Sequence, residues 1–150
     1  MKIYLDTSAL IKLYIFENGS KVINQITAQN AAPLPVWDLH LVEFHNAIKL
    51  MVFREEITGE EAGHLCSLFK ERKKAGIYYS PELDREDHTE LCLEYTNFSP
   101  KFGCRSLDIM HVAAAALFKV DQFITFDSRQ ADLAREIGMN TYFPEQDLGK

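Results

Sequence analysis

The stretch RSLDIMHVAAAALFKVDQFITFD (105–127) reads as an apolar helix, a turn and a strand, with an aspartate near each end. Ser106 can cap the helix, which runs through Phe118. It is Ala-rich and apolar nearly all round, the pattern of a helix at the centre of a domain. Gln122–Phe126 is a short apolar strand. A buried helix leading into a buried strand is one half of an α/β unit, and its acids decide what the unit is for. Asp108 falls in the helix's first turn, where an unpaired carboxylate is costly because ionisable groups are almost never buried without a partner.

The rest of the chain repeats the alternation. Lys2–Leu5, Pro33–Trp37, Ile77–Ser80 and Thr141–Phe143 read as further strands. Pro35 belongs at a strand start or on an edge, because it cannot donate to a ladder. Helices are expected over Thr7–Phe16, from Ser20 (Val22, Ile23 and Ile26 inward), and from Asp38 or Leu39 to Phe53. In the last of these, Val42, Phe44, Ala47, Ile48 and Met51 form the expected buried side. Thr58 with Glu61 forms a capping box for a helix ending in the basic run Lys70–Lys74. Asp84–Asn97, with Leu91, Leu93 and Tyr95 among its apolar positions, is the next helix. Phe98–Arg105 reads as a loop, and a final helix starts at Asp127 or Ser128. Strands alternating with helices argue for a three-layer α/β/α sandwich with a central, mostly parallel sheet, residues 1–150 forming one domain.

Composition excludes several classes. With 47% hydrophobic and 25% charged residues the chain is globular rather than disordered. No apolar run reaches the ~20 residues that span a bilayer, and Asp6 and Lys12 interrupt what could have been a signal peptide. The three cysteines, Cys66, Cys92 and Cys104, include no CxxC pair. A reducing, cytoplasmic location is therefore expected, with no membrane contact. A net charge of −6 argues against a general nucleic-acid coat protein.

Ligands of parallel sheets bind off the carboxyl ends of the strands. Asp6 and Asp127 end strands, and Asp108 and Glu43 lie early in helices. Three of the four acids have a plain structural role to hand: Asp6 and Asp127 as helix caps, Glu43 as a local partner of His40. Together they are a cluster that repels itself, at about 4 kcal/mol per pair for ~4 Å and an effective dielectric of 20. An all-oxygen site relieved by a cation suits Mg²⁺ or Mn²⁺. His111, on nearly the same helix face as Asp108, reads as a buried, hydrogen-bonded core histidine.

The segments LDTSALIKLYIFENGS, VEFHNAI, RSLDIMHVAAAALFKVDQFITFD and SRQADLAREIGM resemble those of PIN-domain ribonucleases, the VapC-type toxins in particular. The likeness runs from Lys2 to Met139, in the family's order. It implies that Asp6, Glu43, Asp108 and Asp127 are catalytic and hold one or two Mg²⁺ or Mn²⁺ ions. Thr7 or Ser8 supports the site. The stretch LPVWDLHLVE departs from the family's pattern, with Asp38 and His40 where small or hydroxyl residues are frequent. The reaction implied is metal-assisted hydrolysis of RNA phosphodiesters, leaving 5′-phosphate and 3′-hydroxyl ends. Lys101 and Arg105 are the preferred phosphate grip, since phosphate contacts dominate RNA affinity. The resemblance also implies a homodimer and an antitoxin protein whose basic segment crosses the acidic cleft. A PIN-domain RNA-processing nuclease without a toxin role and a non-catalytic partner-binding module are the competing readings.

Overall fold

The computed structural model describes residues 1–144. Its strands are β1 (Ile3–Leu5), β2 (Leu34–Pro35), β3 (Tyr78–Tyr79), β4 (Gln122–Ile124) and β5 (Thr141–Tyr142). The helices are α1 (Thr7–Leu10), α2 (Ser20–Gln29), α3 (Asp38–Phe53), α4 (Gly59–Lys74), α5 (Arg85–Tyr95), α6 (Ser99–Phe102), α7 (Ser106–Leu117) and α8 (Ser128–Glu136). Single 3₁₀ turns extend α1 over Ile11–Leu13 and α5 over Thr96–Phe98. No helix among the described residues is long and apolar enough to cross a membrane.

All strand pairs are parallel, β1 with β4, β4 with β5, and β2 with β3. The sheet is a three-layer sandwich because its strands alternate. Ile3, Leu5 and Ile124 face a core shared with Leu10, Ile23, Phe44, Ile48 and Phe69. Tyr4 and Phe123 face the other way, onto Val112, the alanines of α7, and Leu133. Their rings stack across the β1–β4 register at 5.4 Å between centroids.

The ladder is broken between β1 and β2, although these strands lie side by side. Pro35 explains the break. The N–H groups of Leu34 and Val36 both turn toward β3, reaching Ile77 O and Tyr79 O. The intervening position would direct its N–H to the β1 side, and proline has none. His40 fills part of the gap, its Nε2 donating to the Leu5 carbonyl at 2.7 Å.

Helix starts follow the capping chemistry. Thr58 and Glu61 form the reciprocal box at α4, and Asp127 accepts from Arg129 N and Gln130 N at α8. Gly19 opens α2 at φ +95°, and a Cβ there would come within 2.5 Å of the Phe126 ring. Only glycine suits that turn.

Three sequence expectations need correction. Val42 is 69% exposed rather than inward, because the buried face of α3 falls on Leu39, His40, Phe44 and Ile48. The Phe98–Arg105 loop contains α6, closed by Gly103 at φ +66°. Ser106 is the first residue of α7 rather than its cap; Arg105 holds that position, and Asp108 accepts from its backbone N–H.

Candidate functional site

Asp6, Thr7, Ser8, Glu43, Arg105, Leu107, Asp108, His111, Asp127 and Gln130 line a cleft of about 180 Å³ off the carboxyl ends of β1 and β4. Asp6 follows β1 directly, Asp127 lies three residues beyond the end of β4, Glu43 comes from α3 in one helical layer, and Asp108 from α7 in the other. The fold thus brings all four acids to one place. Lys101 does not join them; it lies on α6, 3.5 Å from Glu136, with its ammonium over the Phe102 ring.

Each carboxylate is held by donors. Asp6 is 1% exposed; Oδ1 accepts from Ser8 Oγ and Ala9 N, and Oδ2 from Thr125 Oγ1. Burial pushes its pKa up, against the lowering effect of His111 and of those hydrogen bonds. Burial acts the same way on Glu43, but there His111 and Thr7 outweigh it and hold the carboxyl below its ordinary value. Asp6 is thus both a helix cap and a cleft residue. The His40 contact expected for Glu43 is absent; its partners are Thr7 and His111, both at Oε1.

His111 was read from sequence as a core histidine, and it is 1% exposed. Its surroundings give it a direction as well. The Trp37 indole N–H, which can only donate, donates to Tyr4 Oη at 2.8 Å. The Tyr4 hydroxyl hydrogen is then directed to His111 Nδ1 at 2.7 Å. Nε2 therefore carries the imidazole hydrogen and donates to Glu43. A relay from Trp37 through Tyr4 fixes the tautomer that orients a cleft carboxylate. These contacts span 33, 107 and 68 residues of sequence, so no local pattern announces them.

His40, flagged as a departure in LPVWDLHLVE, lines no part of the cleft. Its Nδ1 accepts from Trp37 N at 3.2 Å while Nε2 donates to Leu5 O. A second ring proton would collide with the Trp37 N–H. Burial and the neighbouring His111 accordingly push its pKa down to about 3 from an ordinary 6.5. The unfolded chain binds this proton below pH 6.5 and the folded chain does not until about pH 3, so the contribution is present above 6.5 and is lost as pH falls toward 3. Urea denaturation at pH 6.5 and 4.5 should show stability falling with acidification, and His40→Gln should lose less over the same interval. Equal losses in the two proteins would refute the assignment.

Arg105 and Gln130 complete the site. The guanidinium lies on Asp108 (Nε–Oδ2 3.2 Å, Nη2–Oδ1 3.3 Å) and on Asp127 (Nη2–Oδ2 2.7 Å). Gln130 Nε2 donates to Asp108 Oδ1 at 3.1 Å, while its Oε1 is buried without a hydrogen-bond partner. Sequence reasoning missed Gln130, whose only signal was its place in the first turn after Asp127. For a divalent cation the donors fit in kind, being hard oxygens with an unused amide oxygen beside them. They are not gathered around one ion position: among the described residues no three His, Cys, Asp or Glu side chains are so placed. Arg105 supplies the positive charge instead.

No family model matches the sequence, and no curated protein does either. Solved structures do match in fold. FitAcB from Neisseria gonorrhoeae is 13% identical, with a TM-score of 0.64 over 95% of this chain and 98% of that one. VapC20 of Mycobacterium tuberculosis, a sarcin-ricin loop cleaving toxin, is 13% identical, with a TM-score of 0.66 over 92% and 96%. With strands, layers and connections in hand, the chain has the three-layer α/β/α, PIN-like fold of these two proteins.

Proposed function

We propose that the chain is a metal-dependent endoribonuclease, one PIN-like domain acting as the toxin of a toxin–antitoxin pair. The observation that carries the reading is the convergence of Asp6, Glu43, Asp108 and Asp127 on one cleft, in a fold shared with a toxin that cleaves the sarcin-ricin loop. Mg²⁺ or Mn²⁺ held by these carboxylates would supply Lewis-acid charge for phosphodiester hydrolysis.

The chain's own residues do the positioning. Ser8, Thr125 and Ala9 N fix both oxygens of Asp6. Thr7 and His111 fix Oε1 of Glu43 and leave Oε2 to a ligand. The first backbone N–H groups of α8 hold Asp127. Donors set before the reaction need no reorganisation during it, which is where electrostatic catalysis gains most.

Partners follow from charge and surface. With a net charge of −6, the protein suits an antitoxin that presents a basic segment to the acidic cleft. Phe16, Val42 and Phe53 are 90%, 69% and 84% exposed and offer apolar contacts for a homodimer.

The test is Mn²⁺-dependent cleavage of a structured RNA carrying a sarcin-ricin loop, with 5′-phosphate ends on the products. Cleavage that persists in excess chelator would replace this reading with a metal-free one. Binding and inhibition by the product of a short upstream reading frame would separate a toxin from an RNA-processing nuclease.

A further inference from the structure

We propose that Arg105 is the resting counter-ion of the cleft, a latch that a divalent cation has to lift from Asp108 and Asp127 before it can bind there. The inference rests on the reading above, in that it takes the cleft to admit such an ion.

A carboxylate offers about four lone-pair directions, and at Asp108 four donors take them. Oδ1 accepts from Arg105 Nη2 and Gln130 Nε2, and Oδ2 from Arg105 N and Arg105 Nε. While these bonds stand, Asp108 has nothing to give an ion. The four donors are not equally fixed. The Arg105 backbone N–H belongs to the start of α7, and Gln130 is 6% exposed. The Arg105 side chain is 63% exposed, so it is the donor that can leave without disturbing either helix. Its departure frees one direction on each oxygen of Asp108 and also Oδ2 of Asp127.

A second observation points to a missing ligand. Gln130 lines the cleft, and its Oε1 is buried with no hydrogen-bond partner. Turning the amide over would bring that oxygen against the Asp108 carboxylate, so the orphan cannot be removed by exchanging O and N. A buried acceptor left unpaired is costly. The hydration shell of a cation at Asp108 contains the O–H donors it lacks.

The latch lowers the fraction of protein ready to bind, and apparent affinity falls by that fraction. In Arg105→Gln, Mn²⁺ should bind at least about fivefold tighter by titration calorimetry, within the usual range of intramolecular coupling. Arg105→Lys keeps the charge but loses the fork, and should fall between the two. Arg129→Gln removes an equal charge from an exposed position beside Asp127 and should change affinity by less than about twofold. Circular dichroism checks that each variant is folded. Equal or weaker Mn²⁺ binding by Arg105→Gln, an equal gain in Arg129→Gln, or no Mn²⁺ binding by any of the proteins would each overturn the latch. The nuclease reading fails separately, if the unaltered protein leaves RNA intact at saturating Mn²⁺.

Discussion

Asp108→Asn should lower RNA cleavage by at least ~10²-fold, the scale on which one electrostatic catalytic group acts. The substitution is nearly isosteric, but it removes the charge that a cation would need. Its effect on stability is the informative part. The like-charge repulsion among the four acids would by itself favour removing one charge. The structure reverses that sign. Asp108 is 1% exposed and accepts four hydrogen bonds, two of them from a guanidinium. An asparagine there turns an N–H₂ toward donors. Stability should therefore fall by roughly 1–3 kcal/mol, the cost of leaving buried polar groups unsatisfied. Urea denaturation alongside cleavage under conditions where the variant is fully folded separates the two losses. Full activity in the folded variant would remove Asp108 from the catalytic set.

Phe44→Ala should cost about 3–5 kcal/mol, as large-to-small changes in a close-packed core do. Phe44 is fully buried, stacked on Phe69 at 4.6 Å and edge-on to Tyr14 at 4.8 Å. Phe69 in turn stacks on Tyr78. Few neighbours can collapse into the space, because α1, α3, α4 and β3 all meet there. Leu93→Ala on α5 is the control. Its side chain is 64% exposed, so the change should stay within about 0.5 kcal/mol. Chemical denaturation midpoints at equal slope give both numbers. A cost below 1 kcal/mol for Phe44 would mean that this core is not packed as described.

Much of this was legible from residues alone because it is local. A strand ending in Asp6, a helix opening on Asp108 and a strand leading to Asp127 are patterns of three to five neighbours, and the structure places those acids at one edge. What stayed hidden depends on distant partners or on rotation about a helix. Arg105 read as a free phosphate grip because nothing near it says that Asp127, 22 residues on, will take its Nη2. His111 read as core, which it is, but Tyr4 and Trp37 give it a direction that no spacing encodes. Val42 was placed inward from hydrophobicity, and a helix packed on one side has room for only part of its apolar residues. Pro35 was read as a strand start or edge, and its missing N–H falls where the sheet divides.

The pairing of β1 with β4 also sets an order in time. Asp6 is made well before its neighbour in the sheet, which arrives more than a hundred residues later. A ribosome partway through this chain holds Asp6 and Glu43 but neither Asp108 nor Asp127. The cleft cannot exist until the last of these has left the exit tunnel and β4 has slotted in beside β1. Long-range parallel pairing of this kind is intrinsically slow. On the proposed nuclease reading, the delay would keep the nascent chain from acting on the ribosome building it, and any message cut short before the codon for Asp127 yields a product without the acidic quartet.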